Sequence, residues 1–102
     1  MDLTAAGLGP FLDGRGALTT LPAKHRKKLA ALWYLAGKAE LGRTYTEGEI
    51  NDLLDHWTAF HDPAALRREL YNKRLLDRTA DGSRYWRAAE LPPLEEFIAR
   101  NL

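Results

Sequence analysis

Apolar residues recur at three- and four-residue spacing in three stretches of the chain, and each spacing builds one buried helical stripe. The first stripe is Leu29, Leu32, Trp33 and Ala36, within a helix predicted from about Ala23 to Gly37, with Pro22 suited to its start. The second is Ile50, Leu53, Leu54 and Trp57. Its start is marked by Thr46 followed three residues later by Glu49, the capping-box pattern in which hydroxyl and carboxylate each take up a free backbone N–H. The third is Leu66 and Leu70, in a helix that restarts at Asp62-Pro63, with Asp as N-cap and Pro at the first helical position. Phe60-His61 forms the corner between the second and third helices, and His61 is expected to serve that corner.

After Arg74 the period changes. Leu75–Thr79 and Ser83–Arg87 flank Ala80-Asp81-Gly82, and Asp-Gly is a strong two-residue hairpin turn because both positions favour positive φ. That register sets Ala80 opposite Ser83, Arg78 opposite Tyr85 and Asp77 opposite Trp86. Tyr85 and Trp86 then point to opposite faces, and the sequence leaves open which one enters the core. A helix pair feeding a hairpin is the layout of a winged helix-turn-helix, whose second helix commonly enters the major groove of DNA. The expected fold class is α+β, mostly α: three core helices, a two-stranded β-hairpin wing and a short C-terminal helix.

The connecting segments read less sharply. Met1 to Ala17 carries Gly7, Gly9, Pro10, Gly14 and Gly16, the chemistry of a loose segment, interrupted by the apolar pair Phe11-Leu12. Ala17–Leu21 suits a short extended strand. Gly37 and Gly42 bracket the exit from the first helix, and Arg43-Thr44-Tyr45 is a one-bridge strand or an extended linker. Leu94–Leu102 reads as a last helix with Leu94, Phe97 and Ile98 on one side. So short a helix must dock to persist, on its own domain or on a second copy as a homodimer contact. The expected division is a flexible segment over 1–17, the winged helix-turn-helix over 18–90 and a docking helix over 91–102.

Composition narrows the classes. A chain of 102 residues supports a single core. The absence of cysteine excludes disulfides and thiolate metal sites and suits a reducing cytoplasm, the expected location. Met1–Pro10 lacks the basic and apolar regions of a secretory signal, and no stretch has the length of a membrane span. The histidines His25, His56 and His61 fall on three different elements, and no glycine-rich loop opens a helix after a strand. No catalytic residue, cofactor or metal is therefore expected, nor a membrane partner.

Charge changes the picture more than composition does. The formal net charge is only +1, but it is segregated along the chain. Pro22–Lys38 carries a net +5 from Lys24, Arg26, Lys27, Lys28 and Lys38, and Thr46–Asp55 a net −4 from Glu47, Glu49, Asp52 and Asp55. His61–Arg87 is net +3, with seven basic residues against four acidic. The second helix would be repelled by phosphate, so its acidic side is expected to face away from any duplex. On the third helix, Arg68 and Asn72 fall opposite Leu66 and Leu70, with Ala64 and Ala65 beside them near its start. Small alanines let the backbone approach base edges, while Arg and Asn match the paired groups of guanine and adenine. These four are the candidate base contacts. Lys24, Lys27, Lys28, Arg67, Arg78 and Arg84 are the candidate phosphate contacts. Arg67 lies closer to the core side and alternatively pairs with a carboxylate of the second helix.

Separated motifs then appear in a consistent order: Phe11-Leu12-Asp13, Gly14-Arg15, Leu18, Leu21-Pro22-Ala23-Lys24, Lys27-Lys28-Leu29, Tyr45-Thr46-Glu47, Glu49-Ile50-Asn51, Leu66-Arg67-Arg68-Glu69-Leu70 and Gly82-Ser83-Arg84-Tyr85-Trp86. Together they resemble domain-of-unknown-function family 2087 over about Phe11 to Arg87. The resemblance implies a winged-helix domain of the kind that sits beside a separate helix-turn-helix domain in bacterial proteins, and hence a role in transcription regulation. It implies no biochemical activity. It marks Tyr45, Glu47, Glu49, Asn51, Arg67, Arg68, Glu69, Tyr85 and Trp86 as motif positions. Two departures are Gly48, which loosens the first turn of the second helix, and the expected lack of an attached companion domain. Two functions follow as expectations. One is a small bacterial DNA-binding regulator of double-stranded DNA, and the other a winged-helix interaction or effector module that does not bind DNA directly.

Overall fold

A computed structural model describes residues 7–102. Four α-helices and a three-stranded antiparallel sheet are formed among these residues: α1 (His25–Ala36), β1 (Thr44–Thr46), α2 (Glu47–His56), α3 (Pro63–Asn72), β2 (Leu76–Arg78), β3 (Arg84–Arg87) and α4 (Leu94–Asn101). This is a mostly helical α+β fold, compatible with a winged helix. The predicted stripes meet in one core. Leu29, Leu32, Ile50, Leu54, Leu66 and Leu70 are all buried, while Trp33, Leu53 and Trp57 are half-buried around them.

The start of α2 follows the sequence closely. Thr46 Oγ1 accepts the Glu49 N–H at 3.1 Å, and Glu49 Oε1 accepts the Thr46 N–H at 2.9 Å, so the capping box is complete. That backbone N–H, then the Thr46 side chain, holds the Glu49 carboxyl below its ordinary pKa. α1 begins two residues later than predicted. Lys24 is still extended (ψ 129°), and the first turn has neither an acidic residue nor a side-chain cap to tighten it.

The sheet is larger than the expected hairpin. Thr44–Thr46 pairs along β3, with Tyr45 opposite Tyr85, giving the order β1-β3-β2. Burial explains the pairing: Tyr45 and Tyr85 both turn inward, and the Tyr45 hydroxyl accepts the Glu40 N–H at 2.9 Å. The register of β2 against β3 is the predicted one, Arg78 opposite Tyr85 and Asp77 opposite Trp86. Tyr85 enters the core and Trp86 lies half-buried on the other face.

The turn itself differs from the prediction. Only Gly82 has positive φ (73°), and its N–H donates to the Thr79 carbonyl at 3.0 Å. The Thr79 N–H donates to Arg84 O at 3.0 Å, which makes a four-residue loop instead of a two-residue one. Asp81 stabilises that loop from its centre, accepting the Thr79 hydroxyl at 2.7 Å and the Ser83 hydroxyl and N–H at 2.8 and 3.0 Å. With those bonds, Thr79's first and Ser83's next, its pKa is lowered to about 2.

Of the 1–17 segment, residues 1–6 lie outside the described residues; in the remainder Leu8 and Ala17 are buried, Gly9–Phe11 forms one turn of 3-10 helix, and Asp13–Arg15 are exposed. One further expectation is corrected. Ala17–Leu21 is not a strand. Leu18 alone bridges Leu12 and Thr58, its N–H donating to Trp57 O and its carbonyl accepting the Ala59 N–H, each at 2.8 Å. The segment clasps the exit of α2. α4 docks on α1 within the same chain, burying Leu94, Phe97 and Ile98, and the Trp33 indole donates to Pro92 O at 2.8 Å to hold the approach. The three side chains expected at a homodimer contact are therefore committed inside the domain.

Candidate nucleic-acid interface

α3 is the element that presents chemistry, and its two faces are set by its entry. Pro63 stands at the first helical position, and His61 turns the corner with φ 45°, its Nδ1 3.5 Å from Asp55 Oδ1. Asp62 is the N-cap by position, but its side chain makes no capping bond. Leu66 and Leu70 point into the core, leaving Ala64, Arg68, Tyr71 and Asn72 exposed and Ala65 half-buried.

Arg67 sits between the two faces and is used internally. Its guanidinium reaches Glu47 Oε1 at 3.1 Å, donates to Asn51 Oδ1 and lies 5.5 Å from the centre of the Tyr85 ring. With its side chain only 14% exposed, it ties α2 and the sheet to α3 and has little left for a phosphate. Glu47 is thus drawn towards α3 and neutralised, whereas Asp52, further along α2, is exposed. Glu69 makes the corresponding tie to α1. Its Oε2 lies 3.0 Å from Lys28 Nζ and 3.5 Å from Lys73 Nζ, and the Lys28 bond in particular holds its carboxyl below the ordinary range.

The exposed face of α3 continues into the hairpin. Arg67, Arg68, Tyr71, Asn72, Arg78 and Tyr85 line one concavity of about 250 Å³. Arg78 is fixed above Tyr71, 4.6 Å from its ring centre, by donating to Thr79 O and Ala80 O at 3.0 and 3.2 Å. Such a stacked cation keeps its charge outward while its planar face is occupied. Arg84, on the same hairpin, is exposed, and among the described residues its side chain donates one hydrogen bond, to the neighbouring Ser83 carbonyl at 3.4 Å.

The candidate residues are therefore brought together only in part. Arg67, Arg68, Asn72 and Arg78 share the concavity, and Ala64 and Ala65 lie one turn back along the helix. The basic start of α1 does not line it. There Arg26 pairs with Glu95 of α4 at 3.2 Å, Lys28 with Glu69, and Lys27 lies 5.9 Å from the Phe11 ring centre, so Lys24 is the most open of the lysines. Tyr71 was missed by the sequence reading. Its signal was an aromatic three residues after Arg68 on a face that is otherwise polar.

Among the described residues no group of three or more metal-binding side chains gathers, and no helix is long and apolar enough to cross a membrane. The profile of a family described as an uncharacterized protein conserved in bacteria, DUF2087, matches residues 17–87. The chain belongs to the DUF2087 family. No curated protein and no solved structure matches it. The DUF2087 region runs from the buried Ala17 to the end of β3 and so contains the whole α3–hairpin surface, while α4 lies beyond it.

Proposed function

We propose that the protein is a small bacterial DNA-binding protein, a transcription regulator that reads the major groove with α3. One observation carries the reading: Arg68 and Asn72 stand exposed on α3, beside an arginine-bearing concavity shared with the hairpin, and neither side chain has a hydrogen-bond or ion-pair partner among the described residues. Arg68 reads guanine and Asn72 adenine, with Ala64 and Ala65 allowing the close approach. Arg78 and Arg84 on the hairpin, and Lys24 and Lys27 around the start of α1, contact phosphates and set orientation. Arg67 and Lys28 act one step back, fixing α3 against α2 and α1.

The test is binding of the full chain to mixed-sequence duplex DNA over a range of salt. The affinity should fall steeply, with a log–log slope of about −0.9 per phosphate contact. Absence of binding at low salt overturns the reading. The second reading, an interaction module, draws on one specific feature: Leu41, 59% exposed, stands with Trp86 around a concavity of about 500 Å³ beside β1, away from Arg68. A chain that ignores DNA but loses a protein contact on Leu41→Ser would favour it.

A further inference from the structure

Just past the C-cap of α3 stands an arginine, Arg74, where the backbone calls for glycine. Arg74 has φ 61°, in the left-handed region that side chains with a Cβ rarely adopt. The hydrogen bonds require that conformation: the Arg74 N–H donates to Tyr71 O at 3.0 Å and the Leu75 N–H to Leu70 O at 2.9 Å. This is the pattern of a Schellman ending, in which glycine is the usual occupant at Arg74's place. The helix C-terminus favours a cation nearby, but Lys73 already supplies one at the C-cap.

The Arg74 side chain is exposed, and among the described residues no carboxylate lies within ion-pair distance and no side-chain hydrogen bond holds it. It stands at the rim of two concavities. One, of about 690 Å³, opens over Trp86 and Asp77, and the other, of about 350 Å³, opens towards Glu90 and Arg100 of α4. Asn72 lines both of these and the concavity shared with the hairpin, so all three meet at one residue of the exposed face. The first holds Asp77 with Arg74, and the second holds Glu90 with Lys73, Arg74 and Arg100, so Arg74 is the cation common to both.

We infer that Arg74 is a further phosphate contact, extending the DNA-facing surface of α3 past its C-terminus towards α4. The inference rests on the DNA-binding reading above and adds a residue that the candidate set omitted. A strained arginine with no internal partner is then accounted for by an external one.

The experiment compares the 102-residue chain with Arg74→Asn and Arg74→Lys, measuring binding to mixed-sequence duplex DNA as a function of salt together with thermal unfolding. Asparagine tolerates the left-handed conformation, so Arg74→Asn should unfold no lower than the parent. Its affinity should drop about 5- to 10-fold at 0.1 M salt, and its slope should flatten by about 0.9, the loss of one phosphate contact. Arg74→Lys should restore the slope. If Arg74→Asn binds like the parent with the same slope, the inference falls while the DNA reading stands. If Arg74→Lys behaves like Arg74→Asn, the role is structural and the inference is likewise wrong. A parent chain that fails to bind at low salt removes both.

Discussion

Arg67 and Arg68 are neighbours on α3 with identical chemistry and opposite circumstances. Arg67 is drawn into a corner where Glu47, Asn51 and Tyr85 surround it, and Arg68 stands in solvent with no partner among the described residues. A step of roughly 100° around the helix separates the two environments. The difference teaches that position on the helix, and not residue type, decides whether an arginine holds the domain together or is available to a ligand. The same contrast separates Lys28, committed to Glu69, from Lys24, which is exposed.

The sharpest way to break this comparison is Arg67→Ala. It removes a charged hydrogen bond to Asn51 and leaves Glu47 without its cation, which should cost about 1.5–3 kcal/mol in denaturant unfolding. Because the half-exposed Glu47 is screened by water, the lower part of that range is expected. A loss under about 0.5 kcal/mol would place Arg67 among ordinary surface residues. Arg68→Ala should do the reverse. Stability should stay within about 0.5 kcal/mol of the parent, while discrimination at one base position relaxes by about 1–3 kcal/mol in a binding assay over substituted duplexes. Uniform weakening across all sequences would make Arg68 a phosphate contact instead.

Smaller effects sharpen the same contrast between scaffold and surface. Gly48 has no positive φ, and a Cβ there would meet only Thr46 Oγ1 at 3.9 Å. Gly48→Ala should therefore raise stability by about 0.4–1 kcal/mol without changing DNA binding. Acid should act on the scaffold through Glu69, Glu49 and Asp81, whose folded pKa values are lowered. Their stabilisation is present above the unfolded carboxyl range and is lost as pH falls through it, ending for Asp81 near about 2. A pH series of thermal unfolding should decline across that window, and Asp81→Asn should lessen its most acidic part.

How much of this was legible in the sequence depends on whether the signal was local. The Thr46–Glu49 cap and the pairing of Arg78 with Tyr85 were readable because each is fixed by residues a few positions apart. The pairing of Tyr45 with Tyr85 was not, since the two lie far apart in the chain and only the shared core joins them. The hairpin turn was misread for a related reason. Asp81 satisfies its carboxylate with Thr79 and Ser83, which favours a longer loop over the tighter turn that Asp-Gly suggests by itself. In the candidate site, the exposure of Arg68 and Asn72 followed from helical periodicity. The commitment of Lys28 to Glu69 and of Arg26 to Glu95 came from the tertiary packing of α1 against α3 and α4.

The exposed face of α3 and the adjoining hairpin are the proposed DNA-facing surface. The most direct measurement is an NMR titration of the labelled 102-residue chain with a short mixed-sequence duplex at low salt. Shifts should concentrate at Ala64, Arg68, Tyr71, Asn72, Arg78 and Arg84, leaving Asp52 on α2 and Leu41 beside β1 unmoved. Shifts centred on Leu41 and Trp86, or no shifts at all, would contradict the account.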